Sequence, residues 1–420
     1  EQRRKLSQAI LFRMCTSKYV NGILDEALTN TVFPKLNEII DNEDGQWYPM
    51  DLMKYCAFNT LFYANYGRAT SMDDPLYHEM IDVITRTFAL FQPGLIYSVL
   101  PWYILALIKL NPWSDYHKIT ALIKERTVIG EKFGAQQQEY KERQEREQQL
   151  RKQSNEDDDD EGDGEPTYYI DYIHNKLTQS EVEADIGALF GAGTDTTSTT
   201  ANFAIVLSAK YPELQEKVRT ELMECYKNAS MNEKDSEDGI KRFNINWIVD
   251  HQLVYLRAFI YEVLRVSSVT MLGLPHITSK DVYVDVDDHL NGGNGKKVNY
   301  CIPKGTIVAY VIEFMHKNTT NKMYEEKWVN SSGEMCLENW INKDTKKFEM
   351  NESFFTFGTG RRDCVGKTLA IKELYIIMAY LFLNYRFTFK NKEDIHKPIK
   401  TFFNGVNQID PPMAVTITRL

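Results

Sequence analysis

Residues 354–367 read FFTFGTGRRDCVGK, with one cysteine, Cys364, among three glycines, two arginines and an aromatic run. The stretch is too glycine-rich for a helix, yet an apolar helical pattern, TLAIKELYIIMAYLFL, follows directly at residues 368–383. Cys364 therefore lies where a helix begins, among exposed N–H groups and partial positive charge that stabilise an anion. With Arg361 and Arg362 beside it, its thiol is expected to shift toward thiolate. Gly358, Gly360 and Gly366 are expected to let the backbone turn left-handed and a large flat group come close. Phe357 offers a face to pack beneath that group. A lone cysteine is otherwise a small buried hydrophobe. In this setting the residues point to a thiolate held rigidly as the fifth ligand of a metal in a planar ligand.

The rest of the chain bounds that reading. Its 420 residues, 43% hydrophobic and 12% aromatic, are enough for a large core. The formal charge of −10 is mostly local, because residues 156–165 (EDDDDEGDGE) carry eight acids. The remainder is nearly neutral, which argues against nucleic acid as a partner. Six scattered cysteines without a Cys-x-x-Cys pair argue against a disulfide framework or zinc ribbon, and read as reduced, cytosol-facing thiols. Residues 154–166 read as an acidic disordered insertion. Residues 87–108 are 22 in a row without charge, long enough to span a bilayer, but Pro93, Gly94 and Pro101 interrupt them. Two helices joined by an apolar loop is the expectation there. The opening EQRRKLSQAILFR, without signal peptide or anchor, reads as the middle of a domain.

Helical periodicity dominates: Lys5 to Cys15, Gly22 to Asn42, Pro49 to Tyr66, Leu76 to Phe91 and Ser114 to about Gln153. Ser180 and Glu183 read as a capping box opening a helix to Lys210, followed by Glu213 to Lys227 and Leu253 to Val266. Strands are expected at Val282 to Val286, Asn299 to Ile302 and Thr306 to Val311, and residues 318–348 read as long and irregular. The last residues, AVTITRL, alternate. The fold class is mainly α with a small β-rich part (α+β).

Inside the long helix, GALFGAGTDTTSTT (residues 187–200) places Gly187, Gly191 and Gly193 at about 1 kcal/mol each against Ala. Threonines there back-bond to helix carbonyls, so a local distortion is expected. Glu262-Val263-Leu264-Arg265 sets opposite charges at i, i+3 on one helix face.

The spacing Phe357-x-x-Gly360-x-Arg362-x-Cys364-x-Gly366 resembles the haem-ligand loop of the cytochrome P450 family at all five places. Ala192-Gly193-Thr194-Asp195-Thr196-Thr197 is similar to that family's oxygen-binding helix, where Thr196 would hold a water and Asp195 would relay protons. Glu262 and Arg265 resemble its Glu-x-x-Arg. The third member of that network, usually an arginine, seats Asn339 here, in Leu337-Glu338-Asn339-Trp340; asparagine cannot form a bidentate ion pair with Glu262. Leu274-Pro275-His276 and IPKGTIV resemble the eukaryotic microsomal-type branch, where His276 would meet a haem propionate. Arg3 would be the first propionate-binding arginine. The resemblance covers essentially the whole chain, as one P450 catalytic domain over residues 1–420 that lacks the family's N-terminal part.

The resemblance implies haem b (iron-protoporphyrin IX) on Cys364, with Arg3, Ala192, Gly193, His276, Phe357, Gly360, Arg362 and Gly366 around it. It implies a monooxygenase that inserts one oxygen atom from O2 into a lipophilic substrate, with electrons from NADPH through a reductase. Basic residues on the cysteine side (Arg4, Arg13, Arg361, Lys367) are candidates to meet that reductase. Substrate contacts would come from Ala188, Phe190, Val269, Leu272 and Val406. The cytosolic face of the endoplasmic reticulum membrane is the implied location. Alternatives are a haem-binding but catalytically impaired chain, a haem-thiolate isomerase or dehydratase, and an interaction protein built on the acidic insertion.

Overall fold

The computed structural model describes residues 2–16, 18–42, 45–66, 69–90, 100, 102–153, 177–229, 241, 253–287, 297–317, 328–330 and 332–420. The acidic insertion at 154–166, most of the irregular stretch before Trp328 and the Pro93-Gly94 break lie outside those residues.

Helices come first along the chain: α1 (Gln2–Thr16), α2 (Lys18–Ala27), α3 (Phe33–Asn42), α4 (Met50–Tyr66), α5 (Pro75–Ala89), α6 (Trp102–Leu110) and α7 (Asp115–Gln153). The expected single helix over 22–42 is divided by a π-turn at Leu28–Val32. Pro34 has no N–H to give the carbonyl four residues back, and the chain takes the wider turn there. The extra residue keeps Leu24, Leu28, Val32, Phe33 and Leu36 all in the core.

The centre is α8 (Gln179–Lys210), buried almost all round from Thr194 to Ala209, as a helix inside a large core must be. Its start differs from expectation. Thr178, not Ser180, caps it: the Glu181 carboxylate accepts from Thr178 N at 3.0 Å and from Thr178 Oγ1 at 2.9 Å. Across the stretch where a local distortion is expected, α8 stays helical without a break through its glycines and threonines. Thr196 and Thr200 do donate back to the Ala192 and Thr196 carbonyls, at 2.6 and 2.8 Å. The glycines answer close packing instead: a Cβ on Gly193 would stand 2.8 Å from Leu61 Cδ1 of α4. The two helices share a ring cluster, Phe190 on Phe58 at 4.9 Å, with Phe62, Tyr66 and Phe133 around them. Each such pair contributes about 0.5–1.5 kcal/mol beyond its buried area.

Beyond α8 follow α9 (Pro212–Ala229), α10 (Val254–Ser267), α11 (Ile312–Lys317) and α12 (Lys367–Asn384). Small antiparallel sheets flank them. In the largest, Val415–Arg419 pairs with Tyr385–Thr388 on one side and Gln46–Trp47 on the other. A hairpin joins Val282–Asp287 to Lys297–Ile302. His276–Ile277 pairs with Ile307–Val308, and Thr401–Asn404 with Val406–Ile409. The strand expected over 306–311 stops at Val308, because the chain turns into α11 at Ile312. The mainly α fold with a small β-rich part is as expected.

Candidate active site

Cys364 is reached through a 3-10 turn, Gly360–Arg362, and α12 begins three residues after it, at Lys367. Gly358 and Gly360 take φ of 69° and 70°, the left-handed region that any side chain would strain. Gly366 does not: it is the N-cap of α12 at φ −85°. Cys364 N donates to the Phe357 carbonyl at 2.7 Å, closing the loop on the aromatic residue. Phe357 is half-buried, edge-on to Phe354 at 6.2 Å.

The thiol opens to one side and is crowded on the others, and that burial pushes it up rather than down. The N–H groups of Gly366 and Lys367, with Arg4, pull the other way, while Asp363 adds to the rise. Arg361 and Arg362, expected to favour thiolate, are not what opposes the burial. Arg4 is the cation at the loop: it donates to the Arg361 carbonyl at 3.1 Å and the Asp363 carbonyl, and pairs with Asp363 Oδ1 at 3.1 Å. Half-buried in this contact, it ties α1 to the cysteine loop instead of standing free for a partner. The side chain of Arg3 lies outside the described residues.

Next to the loop lies a buried polar network. Glu262 and Arg265, both fully buried, face each other through Arg265 Nε to Oε2 at 2.9 Å and Nη2 to Oε1 at 2.7 Å. The carboxylate also accepts from Cys336 N at 2.7 Å and from Asn339 Nδ2 at 3.1 and 3.2 Å. A further donor was not foreseen from sequence: Trp340 Nε1 reaches Glu262 Oε2 at 2.8 Å. Arg265 spends its remaining N–H groups on the carbonyls of His316, Ser332 and Glu334. His316 carries the network to the cysteine loop. Its Nε2 accepts from Phe355 N at 3.1 Å, and its ring stacks on Phe354 at 5.5 Å. Burial, with Arg265 adding to it, lowers its pKa to about 3, so the imidazole stays neutral and free to accept. No motif around His316 marks it in the sequence; only its packing does.

On α8, Ala184, Ala188 and Ala192 form an exposed stripe at four-residue spacing, with Thr196 half-buried one turn further on. Asp195, beside it, is buried and turned to α4, where Lys54 Nζ lies 3.4 Å from Oδ1. Burial raises the Asp195 pKa and Lys54 opposes it. Of the expected pocket residues, Ala188 and Leu272 are exposed, whereas Phe190, Val269 and Val406 are buried in the core. Phe190 sits between Phe58 and Phe62, away from the stripe. Asn407 N holds the Val269 carbonyl at 2.8 Å, which keeps the 269 and 406 segments together.

His276 opens the short strand paired with Val308; its Nδ1 is buried and has no partner among the described residues. No cluster of three or more His, Cys, Asp or Glu gathers as a metal site among those residues. An exposed thiol on a left-handed glycine loop and an exposed small-residue stripe on α8 are thus in place, and the Cytochrome P450 family model aligns with residues 1–416. The chain belongs to the cytochrome P450 family.

Among P450 relatives, Cytochrome P450 2L1 of Panulirus argus is 31% identical over 215 residues, 51% of this chain and 37% of the relative. Cytochrome P450 2K4 of Oncorhynchus mykiss is 25% identical over 358 residues, 84% and 62% of the two chains. Steroid 17-alpha-hydroxylase/17,20 lyase of Rana dybowskii is 28% identical over 240 residues, 56% and 39%. The aligned part is at most 62% of the length of these relatives. P450 membership implies haem, and the residues present fit it. The orphaned Nδ1 of His276 and the exposed Arg362 guanidinium suit anionic propionates, the Gly358–Gly360 turn leaves room for a flat ring, and Cys364 offers a thiol.

Proposed function

We propose that the protein is a haem-thiolate monooxygenase that inserts one oxygen atom from O2 into a lipophilic substrate, with electrons from NADPH through a reductase-type partner. The observation that carries this is the Cys364 thiol, presented alone on a glycine-turned loop at the start of α12. In this reading Cys364 would ligate the iron, His276, Arg362 and Arg3 would hold the propionates, and Phe357, Gly360 and Gly366 would pack against the haem. When bound, haem supplies O2 activation and oxygen-atom transfer.

The chain's own residues bind, orient and keep water out. Ala192 is exposed on α8 and would leave room beside a bound haem, while Gly193 lets α8 pack closely on Leu61 of α4. The Thr196 hydroxyl, bonded to the Ala192 carbonyl, is placed to hold a water, and Asp195, next in the chain and paired with Lys54, would relay protons. The Glu262–Arg265 pair, with Asn339, Trp340 and His316, keeps the loop in one position. Ala188 and Leu272 face the substrate with no charge, which favours apolar molecules.

Residues 1–420 act as one catalytic domain, with 154–166 as an acidic insertion. Among the described residues no helix is long and apolar enough to cross a membrane. Exposed Tyr103, Leu107 and Leu110 on α6, with Trp113 at 82% exposure, favour contact with a membrane surface. The cytosolic face of the endoplasmic reticulum is the location we infer.

The test is the absorption spectrum of the dithionite-reduced protein with and without carbon monoxide, beside Cys364→Ser. A strongly red-shifted Soret band in the parent, lost in the variant, is expected. Bound haem with the same unshifted band in both overturns Cys364 as ligand.

A further inference from the structure

Arg126, on α7, reaches to α8 where that helix has no side chain. A Cβ on Gly187 would lie 2.6 Å from Arg126 Nε, and one on Gly191 would lie 3.7 Å from Nη1. The residue is half-buried, and burial alone lowers its pKa, with no acid opposing the shift. Four other arginines are answered by acids: Arg4 by Asp363, Arg265 by Glu262, Arg386 by Glu216, and Arg86 by Asp82 and Glu125. Arg126 has no such partner among the described residues. A guanidinium drawn partly out of water without a carboxylate costs free energy.

Its place explains the cost. Gly187 and Gly191 directly precede Ala188 and Ala192, the exposed stripe of α8. The cation thus lies beside the apolar surface that faces substrate in the reading above, on which this inference rests. We propose that Arg126 is an anion anchor in the substrate site, and that the preferred substrates are apolar organic acids whose carboxylate pairs with its guanidinium. The planar fork suits a carboxylate bidentately, while the hydrocarbon body lies along Ala188 and Ala192. Gly187 then has a physical role: any side chain there would push the guanidinium aside.

Calorimetric titration of the purified full chain with dodecanoate, methyl dodecanoate and dodecylamine tests this. The acid is expected to bind at least about tenfold tighter than the ester, and the amine weakest. Arg126→Gln is expected to bring the acid down to the ester's affinity without changing the ester. Gly187→Ala, which leaves the charge but displaces it, is expected to weaken the acid selectively, and it decides the matter if Arg126→Gln does not fold. Equal affinity for acid and ester in the parent overturns the anchor, as does an acid preference that survives both substitutions. The reduced carbon monoxide spectrum separates this from failure of the parent reading. A thiolate-type band without acid preference removes only the anchor, whereas an acid preference without that band keeps the anchor and removes the monooxygenase.

Discussion

Trp340 Nε1 donates a 2.8 Å hydrogen bond to Glu262 Oε2, a carboxylate with no exposure to solvent. Asn339, next to it, gives Nδ2 to both oxygens. Two neutral donors thus complete the set of partners around the carboxylate beside Arg265. The buried group becomes a neutral Glu–Arg pair with every carboxylate lone pair answered, and the loop it braces needs no third charge.

Trp340→Phe keeps the aromatic body and removes the donor. Hydrogen bonds to buried charged groups are worth about 1.5–3 kcal/mol, so a loss of that size is expected in urea unfolding. An unchanged midpoint and slope would show that Asn339 and Cys336 N suffice without the indole.

Glu262→Gln leaves Arg265 buried without its counter-charge. Removing one member of such a pair costs about 3–5 kcal/mol. Haem recovered per mole of purified protein should fall with it, since His316 passes the network on to Phe355 and the cysteine loop.

Glu373, on α12, is completely buried with Oε1 unpartnered, and burial raises its pKa to about 8, against a weaker opposing hydrogen bond from Thr60. The folded state therefore holds this proton more tightly than the unfolded state, where the carboxyl titrates near 4.5. Its contribution to stability is full below about pH 4.5 and falls as pH rises to about 8, by up to about 5 kcal/mol. Glu373→Gln should remove that slope. The difference in unfolding free energy between variant and parent should move in the variant's favour from pH 5 to pH 8 and then level off; a difference independent of pH sinks the assignment.

Lys54→Met strands Asp195 in the core. The carboxyl's raised pKa should climb further once its cation is gone, so the variant is hurt more at pH 8 than at pH 5. About 3 kcal/mol is expected at the higher pH, and Asp195→Asn in the same chain should recover most of it.

Gly193→Ala adds a methyl group 2.8 Å from Leu61 Cδ1. Helix propensity offers about 1 kcal/mol in return, and overpacking costs about 1–3. A net loss measured by thermal unfolding is expected, whereas a gain would mean that Leu61 turns aside freely.

Much of this was written locally. The helix after Cys364, the left-handed turns at Gly358 and Gly360, and the Glu262–Arg265 spacing each depend on residues within a few positions, where periodicity and glycine's missing Cβ act directly. The same local rules failed where packing decides. Asp195 faces Lys54, Trp340 finds Glu262, and Arg126 lies on Gly187, each across a long chain separation that no repeat spells out. Phe190 and Ala192, two residues apart on one helix, show the limit most plainly: one is held between the rings of α4 and the other is exposed. A helix pattern says that they point in different directions. Which direction is core is decided only when neighbouring helices arrive, because burial is a property of the assembled layers and not of the segment.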